Sequence, residues 1–220
     1  MPQAVSSAVR LPASPAADTP RDAATTTRAA RAGSRLPAIL DEAARLFAQN
    51  GYHDTSIRDI VRAIGMLPGS LYCHFASKED LLVAVYEEGV RRMLDAVAVA
   101  NDGADGDPWD RLERACVGHL EALLQSTPYA LVVIRVLPDD VPAARDRLVA
   151  LRDRFEGVFA DLIAKLPLKL GTDRRTLRLF LLGALNWTQF WYRPGAVSQQ
   201  RDTPRAIARK MLALVRGSAN

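Results

Sequence analysis

Residues 39–82 constrain the fold more than any other stretch of this 220-residue chain. An apolar stripe with helical spacing runs up to Asn50-Gly51, a pair that ends a helix because both residues tolerate a left-handed backbone. Two short helical segments then flank Gly65, whose freedom at positive φ permits a sharp turn. Pro68 suits the first position of the second segment, where no backbone N–H is needed. The pattern predicts a helix-turn-helix, the motif that places a short helix in the major groove of DNA.

Capping signals on both sides of the turn support this motif. Thr55 or Ser56 can cap the middle helix, and Ser77 can cap the helix that follows. Leu71 and Phe75 lie four residues apart and can pack onto the first two helices. The opposite face carries small and hydroxylic side chains, namely Gly69, Ser70, Tyr72, Cys73 and His74. Such side chains allow close approach to a phosphate backbone.

This segment resembles the TetR family of bacterial repressors. Its most diagnostic part is Gly-Ser-Leu-Tyr-x-His-Phe-x-Ser-Lys-Glu at residues 69–79, which is far more specific than a generic helix-turn-helix. The other matching residues are Ala44, Leu46-Phe47, Gly51-Tyr52, Thr55-Ser56-Ile57-Arg58-Asp59-Ile60 and Gly65-Met66. The resemblance implies an all-α fold with an N-terminal three-helix DNA-binding domain and a C-terminal helical domain for ligand binding and dimerisation.

The resemblance also suggests which side chains contact DNA. In TetR-like proteins, residues placed like Ser56, Ser70, Tyr72, His74 and Lys78 usually contact phosphates, whereas those placed like Arg58, Pro68 and Gly69 lie nearest the bases. The expected DNA-binding residues are therefore Thr55, Ser56, Arg58, Pro68, Gly69, Ser70, Tyr72, His74 and Lys78. Leu67 departs from the family pattern, since this position often holds a Ser or Thr that caps the recognition helix. Leucine cannot cap, so base preference near this position is left open.

The chain divides into three expected segments. They are a disordered basic tail at residues 1–34, the helix-turn-helix domain at 35–82, and the helical ligand-binding and dimerisation domain at 83–217. The tail is rich in Ala, Ser, Thr and Pro and lacks periodicity. It is either a basic arm that reaches DNA or a solvated tail without specific contacts. The net charge is only +4 and the motif itself is not basic, so attraction to DNA depends on where the positive charges lie.

Capping residues and prolines divide the rest of the chain into further helices. A connecting helix continues from Leu81 to about Val99. The later helix starts are expected at Asp107-Pro108, Thr127-Pro128, Pro142, Thr172 and Thr203-Pro204.

The helix expected from Asp173 to Tyr192 carries apolar residues on more than one face. Such a helix is buried on most sides, and a second copy of the chain is the simplest cover for the side that its own core leaves open. With the last helix it would form a four-helix bundle across a two-fold axis, as TetR-like repressors do. The expected interface residues are Leu181, Leu185, Trp191, Ile207, Met211 and Leu214.

Residues 186–195 provide a second, weaker resemblance. They are similar to the Trp-Tyr-Arg-Pro-Gly segment of a TetR subgroup linked to lipid and acyl-CoA metabolism. These aromatic residues either belong to the core and interface or form the wall of a ligand cavity, with Arg175, Arg178 or Arg193 meeting a phosphate or carboxylate. The candidate ligand-binding residues are His119, Leu123, Tyr129, Val133, Phe155, Phe159, Trp187 and Phe190.

Several classes of protein are disfavoured. Cys73 and Cys116 have neither metal-ligand spacing nor a secretory context, so we interpret them as reduced thiols, with a redox role for Cys73 as the alternative. The histidines lack metal spacing, and neither a phosphate loop nor a nucleophile elbow is present. We therefore expect no catalytic residue, no metal and no cofactor. Since no apolar run is long enough to span a bilayer, we expect a cytoplasmic protein without a membrane partner.

These observations favour a homodimeric repressor that binds a palindromic double-stranded DNA operator and is released by a small-molecule effector. An acyl-CoA or another lipophilic anion is the favoured effector. The first alternative is an efflux-type regulator that senses drug-like lipophilic compounds, which acidic residues in the pocket would support. The second is a helical dimer that acts only through protein partners, and the intact Tyr72, His74 and Lys78 argue against it.

Overall fold

The computed structural model describes residues 22–103, 106–125, 127–192 and 203–219, with side chains described between residues 35 and 217 of those ranges. The described residues contain helices and no strand, which confirms the all-α fold. The helices are α1 (Asp22–Asn50), α2 (Ile57–Ala63), α3 (Pro68–Tyr72), α4 (Lys78–Asn101), α5 (Pro108–Leu124), α6 (Pro128–Arg135), α7 (Arg145–Ala164), α8 (Arg174–Trp191) and α9 (Pro204–Ala219). None of these helices has the length and apolar character needed to cross a bilayer, as far as the described residues extend.

Helix α1 begins earlier than the sequence pattern predicts. It starts at Asp22, so residues 22–34, which we expected to lack regular structure, form its first turns. Pro37 lies inside the helix, where its ring removes one backbone N–H donor. Residues 1–21 lie outside the described part of the chain, and the role of the tail stays a prediction.

Most helix starts follow the predicted caps. The side chains of Ser56, Ser77, Asp107 and Thr127 each accept a hydrogen bond from a backbone N–H of the helix that follows. The prediction for α8 is wrong by one residue. Asp173 is its cap and accepts hydrogen bonds from the backbone N–H groups of Arg175 and Thr176, whereas the Thr172 hydroxyl donates to the carbonyl of Lys169.

Helix α7 also begins later than predicted. Two short 3-10 helices, Pro138–Asp140 and Pro142–Ala144, connect α6 to α7. The α-helix therefore starts at Arg145 rather than at Pro142.

Helix α4 is the central element, and two glycines bring its neighbours close to it. A Cβ at Gly89 would lie 2.6 Å from Cγ2 of Val133, so α6 crosses α4 at this point without room for a side chain. A Cβ at Gly118 would lie 2.6 Å from the carbonyl oxygen of Ala96, which fixes the crossing of α4 and α5. The Tyr86 hydroxyl of α4 also donates to the carbonyl of Val133 at 3.1 Å. Helix α6 is thus held tightly against the helix that continues into the helix-turn-helix.

Candidate functional site

The turn between α2 and α3 presents α3 to solvent along one face. Gly65 adopts a φ of +63°, as the turn requires, and Pro68 occupies the first position of α3. Leu71 is fully buried and fixes the inner face of α3, whereas the Tyr72 side chain is 54% exposed. Gly69 and Ser70 are exposed on the same outer face as Tyr72. The expected DNA-facing residues of α3 therefore lie together on one accessible surface.

The N-terminus of α2 adds a second group of accessible residues beside α3. Ser56 and Asp59 form a capping box, in which Ser56 Oγ accepts from the Asp59 N–H at 3.2 Å and Asp59 Oδ2 accepts from the Ser56 N–H at 3.1 Å. The Arg58 side chain is exposed next to this cap. The capping box fixes the backbone from which Arg58 projects.

Lys78, at the start of α4, is held by an aromatic ring and a carbonyl group. Its Nζ lies 4.2 Å from the ring centroid of Tyr52 and donates to the carbonyl of His53 at 3.3 Å. The Tyr52 hydroxyl donates to Glu79 Oε1 at 2.9 Å, which fixes the ring. Partial burial lowers the pKa of Lys78 from its ordinary value, while Glu79 and Asp54 oppose this shift. The ammonium group is therefore held in a defined position at the start of α4.

Thr55 is placed differently from the other expected DNA contacts. Its side chain is only 1% exposed, and its hydroxyl lies within hydrogen-bonding distance of the carbonyls of Gly51 (2.8 Å) and Leu46 (3.2 Å). Thr55 therefore ties the end of α1 to the loop before α2 and is not accessible to DNA. His74 is half-buried at the end of the exposed face.

Leu67 is a surface residue, which the sequence analysis discussed only because leucine cannot cap α3. No side chain caps α3 at this position, as expected, and Leu67 is 75% exposed at its start. An apolar side chain so placed beside the α3 face is able to contact the methyl group of a thymine.

An internal cavity of about 130 Å³ lies among α4, α6, α7 and α8. Polar and apolar groups contribute about equally to its accessible walls, and its charged and amide side chains are Arg152, Glu156 and Asn186. The lining residues are Tyr86, Val90, Met93, Val133, Ile134, Arg152, Phe155, Glu156, Leu179, Leu182, Gly183 and Asn186. Leu179 and Gly183 are exposed, so the cavity reaches the surface along α8.

Two arginine side chains pair with the one carboxylate of the cavity: Arg152 lines the cavity, and Arg178 lies beside the lining. Glu156 Oε1 lies 3.3 Å from Arg152 Nε, and Glu156 Oε2 lies 3.4 Å from Arg178 Nη2. Both carboxylate oxygens are therefore paired, and the three groups together carry one net positive charge. The Nε atom of Arg178 is buried without a hydrogen-bond partner among the described residues. This arrangement suits an anionic group better than a cationic one.

His119 lies behind the cavity and contacts its wall. The ring is fully buried, with its centroid 5.4 Å from that of Phe155 and 6.0 Å from that of Phe159. His119 Nε2 lies 2.9 Å from Asn186 Oδ1. Burial lowers the pKa of His119 to about 4, although the hydrogen bond with Asn186 acts in the opposite direction. The imidazole is therefore neutral near pH 7.

The expected ligand residues separate into three groups. Val133 and Phe155 line the cavity, and His119 contacts its wall. Leu123, Tyr129 and Phe159 are buried in the surrounding core. Trp187 and Phe190 are exposed on another face of α8, with ring centroids 4.5 Å apart. The sequence analysis did not place Met93, Arg152 or Asn186 in the cavity. Asn186 was the one with a usable signal, because it is a polar residue in the apolar stretch that precedes Trp187.

A wider depression of about 510 Å³ lies between α4, α5 and α6. Charged residues, including Arg92, Asp95 and Glu121, contribute to its lining. It is more open than the cavity beside α8, so a ligand there would keep more of its surface in water. The smaller cavity encloses a ligand more completely and is therefore the better candidate for a ligand site.

The exposed apolar face of α8 differs from the one we expected. Leu181, Leu185 and Ile207 are buried within the subunit, so they belong to its own core rather than to a surface that meets a second copy. Met211 is half-buried, and Trp191 and Leu214 are exposed. The outward stripe of α8, spaced by three or four residues, consists of Phe180, Gly183, Trp187, Phe190 and Trp191. Residues 193–195, where we considered an anion contact by Arg193, lie outside the described part.

Comparison with known proteins agrees with this architecture. Residues 39–85 match the family model described as bacterial regulatory proteins of the tetR family, and residues 105–218 match the tetracyclin repressor-like C-terminal domain. The HTH-type transcriptional repressor KstR2 of Mycobacterium tuberculosis is 30% identical over 200 residues, which cover 86% of this chain and 94% of KstR2.

Solved structures share the fold over most of their length. The TetR family regulator PfmR from Thermus thermophilus has a TM-score of 0.62 and 29% identity, covering 80% of this chain and 96% of PfmR. AibR, solved in complex with isovaleryl coenzyme A and operator DNA, has a TM-score of 0.68 and 22% identity, covering 82% of this chain and 97% of AibR. KstR2 is a transcriptional repressor, and PfmR is a transcriptional regulator. The chain therefore belongs to the TetR family of bacterial regulatory proteins, as a helix-turn-helix transcriptional repressor.

Proposed function

We propose that this repressor is a homodimer that binds a palindromic operator and is released by a lipophilic anion of the acyl-CoA class bound among α4, α6, α7 and α8. The observation that carries the proposal is that the cavity touches α4 and α6. Both helices also contact the helix-turn-helix domain. A ligand that changes the shape of the cavity therefore moves the helices that position the helix-turn-helix domain.

The proposed DNA contacts are the accessible members of the expected set. They are Ser56, Arg58, Pro68, Gly69, Ser70, Tyr72, His74 and Lys78. Two copies of α3 read adjacent turns of the major groove only when about 34–36 Å separates them. A dimer that fixes this separation is therefore required for tight binding.

The aromatic stripe of α8 supplies the proposed dimer interface. The Trp187 side chain is 62% exposed, and Phe180, Phe190 and Trp191 lie along the same face. An exposed aromatic surface of this kind marks an interaction site more often than a free surface. Leu214 of α9 is exposed as well, so both helices expected in the four-helix bundle have apolar residues to contribute.

The charge of the cavity rim supports an anionic ligand with an apolar tail. Arg152 and Arg178 share one carboxylate, so a phosphate or carboxylate finds positive charge, while a cation finds no free acid. This observation weighs against the drug-like cations of the efflux-type alternative. AibR, which shares the fold, was solved with isovaleryl coenzyme A, and this supports an effector of the same chemical class.

The size of the cavity suggests how the ligand acts. At about 130 Å³ it is smaller than the roughly 300–1,000 Å³ typical of sites for drug-sized ligands. An acyl chain of moderate length must therefore widen it by moving the surrounding helices. The ligand then binds better to the wide state than to the narrow one, which is the condition for a population shift.

Helix α6 connects this movement to the DNA-binding domain through what we call the α6 clasp, the hydrogen bonds Tyr129–Asp41 and Arg135–Ala48. The Tyr129 hydroxyl donates to Asp41 Oδ1 at 2.8 Å, and Arg135 Nη1 donates to the carbonyl of Ala48 at 3.4 Å. Movement of α6 away from α4 strains both bonds. A hundredfold loss of operator affinity requires about 2.7 kcal/mol of coupling.

Operator release tests the proposal directly. A palindromic operator is selected from random DNA with the purified protein, and fluorescence anisotropy then follows its release by acyl-CoAs with chains of increasing length. We expect release by acyl-CoAs and none by a lipophilic cation such as tetraphenylphosphonium. Release by the cation alone would instead support the efflux-type alternative.

A cavity-filling variant provides the matched control. Leu182→Phe adds volume to a buried wall residue that is remote from α3. This variant should still bind the operator and should need at least about tenfold more acyl-CoA for release, since filling a cavity removes space that the ligand occupies. An unchanged response would show that the ligand binds elsewhere.

A further inference from the structure

The amide of Asn186 is an uncharged polar group in the wall of the cavity. Asn186 lines the cavity, and its Oδ1 atom faces His119, which does not line it. The amide nitrogen makes no hydrogen bond to another described residue, and it is not among the fully buried unpaired atoms, so it remains accessible. The cavity therefore contains an N–H donor whose partner the protein does not supply.

His119 fixes the direction of this amide. Because Oδ1 can only accept, the contact of 2.9 Å requires the proton of the neutral imidazole to be on Nε2. With the amide reversed, the proton would have to move to Nδ1, which is buried and has no partner among the described residues. A buried N–H without an acceptor is rarer and more costly than a buried acceptor without a donor, so the network assigns the amide nitrogen to the cavity.

The surroundings keep His119 in this role. The rings of Phe155 and Phe159 pack against the imidazole, and full burial leaves little room for it to rotate. The low pKa of His119 keeps the ring uncharged at physiological pH, so it donates through Nε2 without attracting an anion.

We propose that Asn186 is a specificity-determining residue, which selects lipophilic ligands that carry a carbonyl oxygen within their apolar part, and that His119 is its positioning residue. The inference rests on the proposed function, because it assumes that this cavity is the effector site. A thioester carbonyl meets the requirement, since it lies between an alkyl chain and an anionic carrier. A ligand of the same shape without the oxygen displaces water from the amide and leaves the donor unpaired, so it binds less tightly.

A pair of small probes tests the donor without any CoA carrier. Cyclohexanone and methylenecyclohexane have nearly the same shape and differ by an oxygen in place of a CH₂ group. Their dissociation constants for the full-length protein are measured by NMR titration of methyl and side-chain amide signals. We expect the wild-type protein to bind the ketone about ten- to a hundredfold more tightly.

Two variants separate specificity from structural damage. Asn186→Leu removes the donor and should reverse the preference, because the ketone then loses its hydrogen bonds to water without a replacement, while His119→Phe releases the amide and should lower the preference to an intermediate value. General loss of structure weakens both probes together and leaves their ratio unchanged, so the ratio reports on the amide itself. Equal binding of the two probes by wild-type protein, no binding of the ketone, or an unchanged ratio in Asn186→Leu would overturn the inference.

The two proposals fail separately in these experiments. If the ketone is preferred but acyl-CoAs do not release the operator, the proposed effector class is wrong and the role of Asn186 stands. If acyl-CoAs release the operator and the probes bind equally, the effector class stands and the role of Asn186 is wrong.

Discussion

The DNA-reading region, residues 39–82, and the helices that surround the cavity are stabilised in different ways. Hydrogen bonds between residues close in sequence stabilise the DNA-reading region. Ser56 and Ser77 cap their helices, and Thr55 connects the loop to α1. The second region depends on packing between distant helices, and it includes a cavity and the partly unpaired side chains of His119 and Arg178. The DNA-reading region therefore keeps its shape, whereas the helices around the cavity have room to move.

The exposed aromatic stripe of α8 should produce the largest effect when disrupted. Trp187→Glu places a charge at the proposed interface, so we expect a monomer with operator affinity reduced about a hundredfold, as loss of roughly 3 kcal/mol at an aromatic hot spot implies. Sedimentation velocity and operator titration measure both quantities. Leu170→Glu changes an exposed leucine outside the stripe and should leave a dimer. A dimeric Trp187→Glu protein would place the interface elsewhere.

The buried hydroxyl of Thr55 tests whether local bonds fix the reading region. Thr55→Val leaves the carbonyls of Gly51 and Leu46 without this donor, and we expect a loss of about 1–3 kcal/mol in the free energy of unfolding. Chemical denaturation followed by circular dichroism provides the measurement. Thr176→Val alters an exposed threonine of α8 and should cost less than about 1 kcal/mol. Equal losses in the two variants would contradict the role of Thr55.

Tyr72 tests whether the reading surface contacts the DNA backbone. Tyr72→Ala should weaken binding about tenfold, and by a similar factor for every DNA sequence, because a phosphate contact carries no base information. Affinities for the operator and for a set of single-base variants provide the test. A loss confined to one base pair would assign Tyr72 to base recognition instead.

The α6 clasp should show the smallest of these effects, because it links the two regions without belonging to either site. Tyr129→Phe removes the hydroxyl that donates to Asp41 and keeps the ring that lies 4.1 Å from Arg92. We expect operator affinity to fall about three- to tenfold, as loss of one largely exposed hydrogen bond worth about 0.7–1.4 kcal/mol implies. The acyl-CoA concentration needed for release should fall as well. An unchanged release concentration in Tyr129→Phe would exclude the clasp from the coupling.

The sequence predicts the reading region well because its signals are local. Pro68, Gly65 and the serine caps act on neighbouring residues, so their effect does not depend on the rest of the fold. The exception is Thr55, whose burial depends on how the loop packs against Leu46.

The faces of α8 are harder to predict because the helix is apolar on most sides. Leu181 and Phe180 are adjacent and both apolar, yet the first is buried and the second is exposed. Only the packing of α5, α7 and α9 decides which side meets the core, and sequence periodicity does not contain that information. The pairing of His119 with Asn186, which are 67 residues apart, is unpredictable for the same reason.

Ligand binding in the cavity and operator binding by residues 39–82 are coupled through one conformational equilibrium. The most direct test is whether each ligand changes the affinity for the other by the same factor. The dissociation constant of hexanoyl-CoA is measured by calorimetry for the free protein and for its operator complex, and the operator affinity is measured with and without saturating ligand. Linkage requires that the change in hexanoyl-CoA affinity caused by the operator equals the change in operator affinity caused by hexanoyl-CoA. We expect each change to be about a hundredfold. Hexanoyl-CoA that binds the free and the operator-bound protein equally well would contradict the account.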